Sequence, residues 1–344
     1  MSKFLILAAI FLLSFFSVAA QKGYKVFAVG FYNVENLFHP ENDSTKDDDD
    51  FTPKGDYQYT QEVYEQKLHN IATVFQQLAT DVTPAGAAII GMAEVENNKV
   101  LIDLVKQPEI IDRNYQFVWF PTADVRGIST ALLYNPKYFR VINAVALHVP
   151  LESLGQLRPT RNVLYVKGVA AGNDTMHIMV NHWPSRGGGV AETSPYRQLA
   201  AAVNKHIADS LLAINPNTKI IIMGDLNDNP TDASVVKVLQ AKADTTNVTL
   251  SDIYNPWINV FKKGIGTEVY DGQWNLLDQI MISGAFLQNN NNKWRYYKNR
   301  IFNKDFLTHQ SGNERGLPHR SFTVDHVWDN GYSDHFPVLV YLVQ

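Results

Sequence analysis

Short apolar runs, rich in β-branched residues, recur along the chain, and most stop at glycine or a polar residue. They are Val26–Tyr32, Ala87–Met92, Ser129–Tyr134, Val163–Val169, Met176–Asn181, Lys219–Gly224, Asp278–Ile282 and Phe336–Val343. Runs this short, bounded by turn residues, read as strands buried in a sheet. Elsewhere the apolar period becomes helical. Thr60 can cap a helix whose Val63, Leu68, Ile71, Phe75 and Leu78 share one stripe. Ser194 as cap, with Pro195 in the first turn, predicts a second helix burying Leu199, Val203, Ile207 and Leu211. A third is expected after Thr231, using Val235, Val238 and Leu239. Dominant strands with recurrent helices predict an α/β chain of the α+β type, a two-sheet core with helices outside.

The first twenty residues carry a different message. Lys3, the apolar stretch Phe4 to Phe16 and the small residues Val18-Ala19-Ala20 have the layout of a secretory signal. Residues 21–344 are then expected to be one soluble, exported domain, secreted or periplasmic in a bacterium, with no lasting membrane insertion. The stretch is short for a bilayer span, the competing reading. The sequence contains no cysteine, so stability must come from burial and not from disulfides. The formal charge is −4, and loss of Lys3 with the leader makes it −5. A net-negative body argues against indiscriminate coating of nucleic acid, although a local basic stripe could still grip phosphates.

The polar residues at the strand ends carry the chemistry. Glu94 follows the run ending at Met92, and Asn33 ends the first run. Each reads equally as a metal-facing oxygen donor or as a surface or turn residue. Asp225 and Asn227 follow Ile220-Ile221-Ile222-Met223-Gly224, and the period of two sets them on one side. Asp334-His335 precedes the last strand, Asp278 opens a late one, and His182 closes another. Arg158, Arg186 and Arg126 lie near strand ends, where a guanidinium could meet a phosphate or simply face solvent. Hard oxygen donors without thiolates suit Mg²⁺ or Mn²⁺, with Ca²⁺ as a further option.

Taken in order, Phe31-Tyr32-Asn33-Val34-Glu35-Asn36, Met92-Ala93-Glu94-Val95, Asn181-His182-Trp183, Gly224-Asp225-Leu226-Asn227, Leu277-Asp278-Gln279 and Ser333-Asp334-His335 resemble the endonuclease/exonuclease/phosphatase superfamily. The phrases Phe31 to Phe38, His182 to Arg186 and Trp274 to Ile280 resemble its exported bacterial members. The resemblance implies a four-layer sandwich, two packed mixed β-sheets flanked by helices, that cleaves phosphoesters with a divalent metal. It makes Glu94 the principal metal ligand, with Asn33 and Asp334 beside it. Asp225 would orient or deprotonate water, and Asn227 would hold a phosphate oxygen. His335, paired with Asp278, and His182 would meet the phosphate and serve the leaving group. Arg158 would stand beside the phosphate, and Arg186 could reach it. Departures at Ala93 and around Asp278 fall where substrate contacts are made.

The first substrate expectation is a nucleic acid, cleaved as a phosphodiester. The second is a lipid, inositol or sugar phosphoester, and a third reading is an inactive binding protein on the same scaffold. A nucleic-acid track would need basic and aromatic residues together. Lys293-Trp294-Arg295-Tyr296-Tyr297-Lys298 with Arg300 is the candidate, the alternative being an amphipathic strand. Nothing in the sequence points to a protein partner.

Overall fold

The computed structural model describes residues 24–156, 158–289 and 293–344, so the expected leader lies outside it. The strands are β1 (Val26–Leu37), β2 (Ile89–Val95), β3 (Gln116–Trp119), β4 (Ser129–Tyr134), β5 (Phe139–Leu147), β6 (Val163–Ala170) and β7 (Asp174–His182). After them come β8 (Lys219–Asp225), β9 (Ile253–Tyr254), β10 (Glu268–Tyr270), β11 (Gln273–Asn275), β12 (Asp278–Ser283), β13 (Arg295–Ile301) and β14 (Val338–Val343). They form two six-stranded mixed sheets, ordered β13-β14-β1-β2-β4-β3 and β5-β6-β7-β8-β12-β9, and β10 and β11 make a separate ribbon.

Alternation along each strand explains the layers. Phe27, Val29 and Phe31 of β1 meet Ile178 and Val180 of β7, Ile221 and Met223 of β8, and Ile280 and Ile282 of β12 between the sheets. Burying such side chains stabilises the fold by about 1.5–3 kcal/mol each. The opposite faces pack on helices. Ala28 and Tyr32 of β1 join Leu68, Ile71 and Phe75 of α1 (Gln61–Gln77), with α2 (Asn98–Val105) alongside. Ile220 and Ile222 of β8 join Ala200, Ala208 and Leu212 of α3 (Val190–Ile214). Helix, sheet, sheet and helix are the four layers.

Gly91 of β2 lets the sheets close together. A Cβ there would lie 2.5 Å from Met223 Sδ and 3.2 Å from Val180 Cγ1. Gly91→Ala is therefore expected to lower stability by about 1–3 kcal/mol through overpacking. The check is a lower denaturant midpoint with an unchanged slope.

The helices depart from expectation in instructive ways. Thr60 does cap α1, its side chain accepting from the Val63 N–H. Helix α3, however, begins at Val190, so Pro195 lies inside the helix and Ser194 is not its cap. Arg197 holds the added turn, donating to the Val190 carbonyl (2.9 Å) and to Thr193 Oγ1 (2.7 Å). Arg197 shares the buried face with Ala200, Ala201, Asn204, Ala208 and Leu212, and Leu199, Val203, Ile207 and Leu211 flank the core only partly buried. After Thr231 there is a single wide π-helical turn, Ser234–Val238, with Val235 and Leu239 buried.

The Lys293–Lys298 stretch with Arg300 is the amphipathic alternative, most of it the edge strand β13. Trp294 is buried against Phe27, at the far end of β1 from Asn33, and Arg300 pairs with Asp81. It offers no aromatic track at the strand ends where the polar residues gather.

Candidate active site

The polar residues prolong the inward rows of the core. Asn33 continues Phe31, His182 continues Val180, Asp225 continues Met223, and Asp278 precedes Ile280 on the same face. Strand register then aligns three of them, since His182 lies opposite Asp225 and Asp225 opposite Asp278 on neighbouring strands. Gly224 allows β7 and β8 to close up there, because a Cβ would come 2.3 Å from the Asn181 carbonyl oxygen.

Glu94 reaches the same place by an irregularity. Regular alternation after Ile89 and Ala93 would point it outward, towards the helices. Its backbone is left-handed instead (φ 64°), and the pairing of β2 with β4 slips between Met92 and Val95. Such a bulge turns the side chain to the inner face. A matching slip in β1 follows Asn33, where Glu35 (φ 49°) and Asn36 (φ 54°) are left-handed in succession. The Asn36 N–H then donates to Glu94 Oε2 at 2.9 Å.

These turns bring the two sheets' residues into contact. Asn33 Nδ2 donates to Asp225 Oδ2 at 3.1 Å and to Glu94 Oε1 at 3.5 Å. His182 Nε2 stands 3.7 Å from Asp225 Oδ2 and 3.8 Å from Glu94 Oε1. Burial, with Arg161 and Arg126 adding to it, holds the His182 imidazole well below its ordinary pKa, so the ring is neutral. Burial also pushes Asp225 up to about 6, with His335 pulling it down and Asp278 pushing it up.

His335 answers from the last loop. Its Nδ1 stands 2.7 Å from Asp278 Oδ2, and its Nε2 lies 3.8 Å from Asp334 Oδ1. Burial alone would lower its pKa, but Asp278 and Asp334, with Asp225 behind them, hold it well above the ordinary value. The ring is an imidazolium between carboxylates. Asp334 is the most open of the group and faces Arg320 Nη2 at 3.8 Å.

Some residues serve differently from expectation. The Asn33 amide oxygen accepts the Glu35 N–H at 3.0 Å in the turn that the left-handed pair creates. Through its Nδ2 the same side chain positions Glu94 and Asp225. Asn227 is left-handed (φ 49°) and its Nδ2 donates to the Trp183 carbonyl at 3.0 Å, tying the exits of β7 and β8 together. Arg186 donates to the Asn227 carbonyl (2.8 Å), to Asn275 Oδ1 (2.9 Å) and to Asp232 Oδ2 (3.2 Å), so its fork braces loops. Arg158 is exposed and lies 3.7 Å from Asp47, on the wall of a groove it shares with Arg126.

Other contributors left little trace in the sequence. Arg161 is buried and donates to the His182 and Trp183 carbonyls at 3.3 and 2.7 Å. Arg126 donates to Asn36 Oδ1 and lies 4.0 Å from Glu94 Oε2. Behind them Glu35 accepts the Ser321 N–H at 2.7 Å, and burial together with Asp334 pushes its carboxyl to about 7 despite nearby Lys67. Glu268, from the β10 ribbon, is likewise pushed to about 7 by burial, with His335 opposing. Glu35 lies inside the phrase that begins at Phe31, and Arg126 stands before a strand; Arg161 and Glu268 are joined to the site by folding alone.

Glu94 and Asp278 act on the charge of Asp225, and Asp334 acts on Glu35 and Glu268, while burial leaves much of this charge poorly solvated. Their hard oxygens, free of thiolate competition, fit a divalent cation.

The architecture is shared with solved structures at low identity. An endonuclease/exonuclease/phosphatase family protein from Bacteroides thetaiotaomicron is 14% identical, with a TM-score of 0.54 over 93% of this chain and 98% of that one. A mannosyl-6-phosphatase from the same organism gives 14% and 0.54 over 92% and 100%. TDP2 of D. rerio, complexed with single-strand DNA product, gives 11% and 0.54 over 92% and 98%. No curated protein matches the chain by sequence. Likeness at such identities carries the fold alone. The model of the endonuclease/exonuclease/phosphatase family, in contrast, matches residues 28–344 and so takes in every side chain that converges on the cleft. The chain belongs to that family, whose members hydrolyse phosphoesters and generally use divalent metals.

Proposed function

We propose that this chain is a divalent-metal-dependent phosphodiesterase acting on nucleic-acid phosphodiesters, exported from the cell that makes it. The observation that carries the hydrolytic reading is the single Asn33 amide bonded to both Glu94 and Asp225, with His182 against the same two carboxylates. Glu94 and Asp334 would hold the cation. Mg²⁺ or Mn²⁺ there supplies charge neutralisation for the phosphoryl oxygens. Asp225, a carboxylate at neutral pH, accepts a proton from the attacking water and aims it. The His335 imidazolium donates to a phosphoryl oxygen, fixed by Asp278. Neutral His182, held from behind by Arg161, offers an N–H to the leaving oxygen or a neighbouring one.

The diester reading is supported by two depressions that border the 184–189 loop. One, of about 280 Å³, is lined by Arg126, Arg158, Thr160 and Ser185. The other, of about 460 Å³, is lined by Asn227, Glu268, Tyr270 and Leu277, with the Tyr270 ring 75% exposed. A diester has a substituent for each, and an exposed ring offers a base a stacking surface. A sugar phosphomonoester is the second reading, favoured by β13 facing away from the cleft. Export rests on the leader-like residues 1–20; among the described residues no helix is long and apolar enough to cross a membrane.

Purified protein is expected to cleave bis(p-nitrophenyl) phosphate and a short single-stranded oligonucleotide with Mg²⁺ or Mn²⁺. EDTA should abolish this turnover, and excess Mg²⁺ restore it. Turnover of monoesters alone would overturn the diester reading, and EDTA-resistant turnover would overturn the metal requirement.

A further inference from the structure

Between β13 and β14 the chain runs through residues 302–337 with a single short 3-10 turn, Asp305–Leu307, and a few isolated bridges. Irregular segments this long are uncommon inside compact domains unless something fixes them. This one must be fixed, because Arg320, Asp334 and His335 all hang from it. No cysteine is present to staple it.

One cluster in the loop is built for that task. Single donor atoms of His309, His319 and Asp329 all lie within 4.8 Å of one another. His319 Nε2 is 3.1 Å from Asp329 Oδ2, His309 Nε2 is 3.4 Å from Glu314 Oε2, and the imidazole centroids are 4.4 Å apart. Ligands of a tetrahedral zinc, at roughly 2.0–2.1 Å from the ion, stand about 3.3 Å from each other. Small side-chain movements would suffice. Two imidazoles with carboxylates suit Zn²⁺ far better than Mg²⁺, which prefers oxygen and keeps its waters. The side chains are partly open to solvent, so an ion has a way in.

We propose that His309, His319 and Asp329, completed by Glu314, bind a Zn²⁺-type cation that fastens this loop, a second cation beside that of the catalytic cleft, since His309 and Glu314 line one depression with Asp334 and Glu268. His319 is the link to the chemistry. Its carbonyl accepts the N–H groups of Tyr332 (2.7 Å) and Ser333 (3.2 Å), and Ser333 Oγ donates to the Asn33 carbonyl at 2.7 Å. The next residue, Arg320, faces both Glu35 and Asp334. Asp329 in turn donates its N–H to the Ser321 carbonyl at 2.9 Å. A cation holding His319 and Asp329 therefore fixes the segment from which Asp334 and His335 project. These are positioning residues, and none touches the reacting atoms.

The test reads metal binding directly and is independent of what the cleft hydrolyses. Chelator-stripped Glu94→Gln protein, with its catalytic cation site disabled, is titrated with ZnCl₂. One Zn²⁺ per chain should bind and raise the melting temperature. Adding His309→Asn with His319→Asn should weaken that binding beyond the roughly 10–100-fold typical of losing a supporting contact alone. In the unsubstituted chain, Zn²⁺ should slow tryptic cleavage after exposed Arg315, and the double variant should lose this protection. Should the double variant not fold, Co²⁺ added to the unsubstituted chain decides, since a tetrahedral site gives intense visible absorption. A weak octahedral spectrum, or Zn²⁺ binding and protection unchanged by the double substitution, would overturn the proposal.

Discussion

Asp225→Asn should lower kcat on bis(p-nitrophenyl) phosphate by roughly 10³-fold while leaving the protein at least as stable as before. The substitution keeps the shape and leaves an oxygen for the Asn33 Nδ2 donor, 3.1 Å away, giving up only the bond from the Asn227 N–H at 2.9 Å, so the cleft retains most of its frame. What disappears is the proton acceptor. Stability moves the other way. Burial raises the Asp225 carboxyl from 3.8 to about 6, so the folded state holds its proton more tightly than the unfolded chain. Stability from this group is present below the lower value and is lost as pH rises through about 6. Above that, in metal-free protein, the native carboxylate costs on the order of 2–3 kcal/mol, which the neutral amide does not. Denaturant unfolding with EDTA at pH 5 and pH 8 checks this: the variant's advantage should be clearly larger at pH 8 than at pH 5. Near-native turnover would remove Asp225 from the chemistry. A variant less stable than the parent at pH 8 would mean that the charge is compensated by something else in the cleft.

The parts of the site that were legible in the sequence are those governed by local periodicity. Asn33, His182, Asp225 and Asp278 each sit at an inward position of an apolar strand, so burial of the strand delivers them to one row. The two sheets and α1 follow from the same alternation and from the Thr60 cap. Glu94 was found by its place after a strand, but its direction depends on a left-handed residue in a bulge, which no period reveals. The sequence left Asn33 between a ligand and a turn residue and Arg186 between a phosphate contact and a surface residue; their bonds to the nearest backbone and loops depend on tight turns that no period reveals. Arg161, Lys67 and Arg320 depend on contacts between distant segments and have no local signature. The ribbon β10–β11 escaped because strands not buried on both faces lack continuous apolar runs. In helix α3 a buried arginine, Arg197, bonds the first turn and Asp228 of a distant loop, and that link too has no local signature.

His335 and Asp278 should behave as a single unit, and a double-mutant cycle exposes it. His335→Ala removes the imidazolium and Asp278→Asn removes the charge that sustains and orients it. Each is expected to reduce kcat/KM by about 10³–10⁴-fold, the scale on which a catalytic histidine loses its orienting aspartate. Because either change destroys the same function, the double variant should be little worse than the poorer single one. Stability separates the two singles. Asp278 is fully buried, and its second oxygen has no hydrogen-bond partner among the described residues. Removing His335 leaves that carboxylate without its partner and should cost about 3–5 kcal/mol, the penalty for breaking a buried ion pair. Asp278→Asn carries no stranded charge and should cost clearly less. Adding it to His335→Ala should then restore stability without restoring activity. Multiplicative losses in kcat/KM would show that the two groups act separately. A double variant as unstable as His335→Ala alone would show that the stranded carboxylate is not the source of the damage.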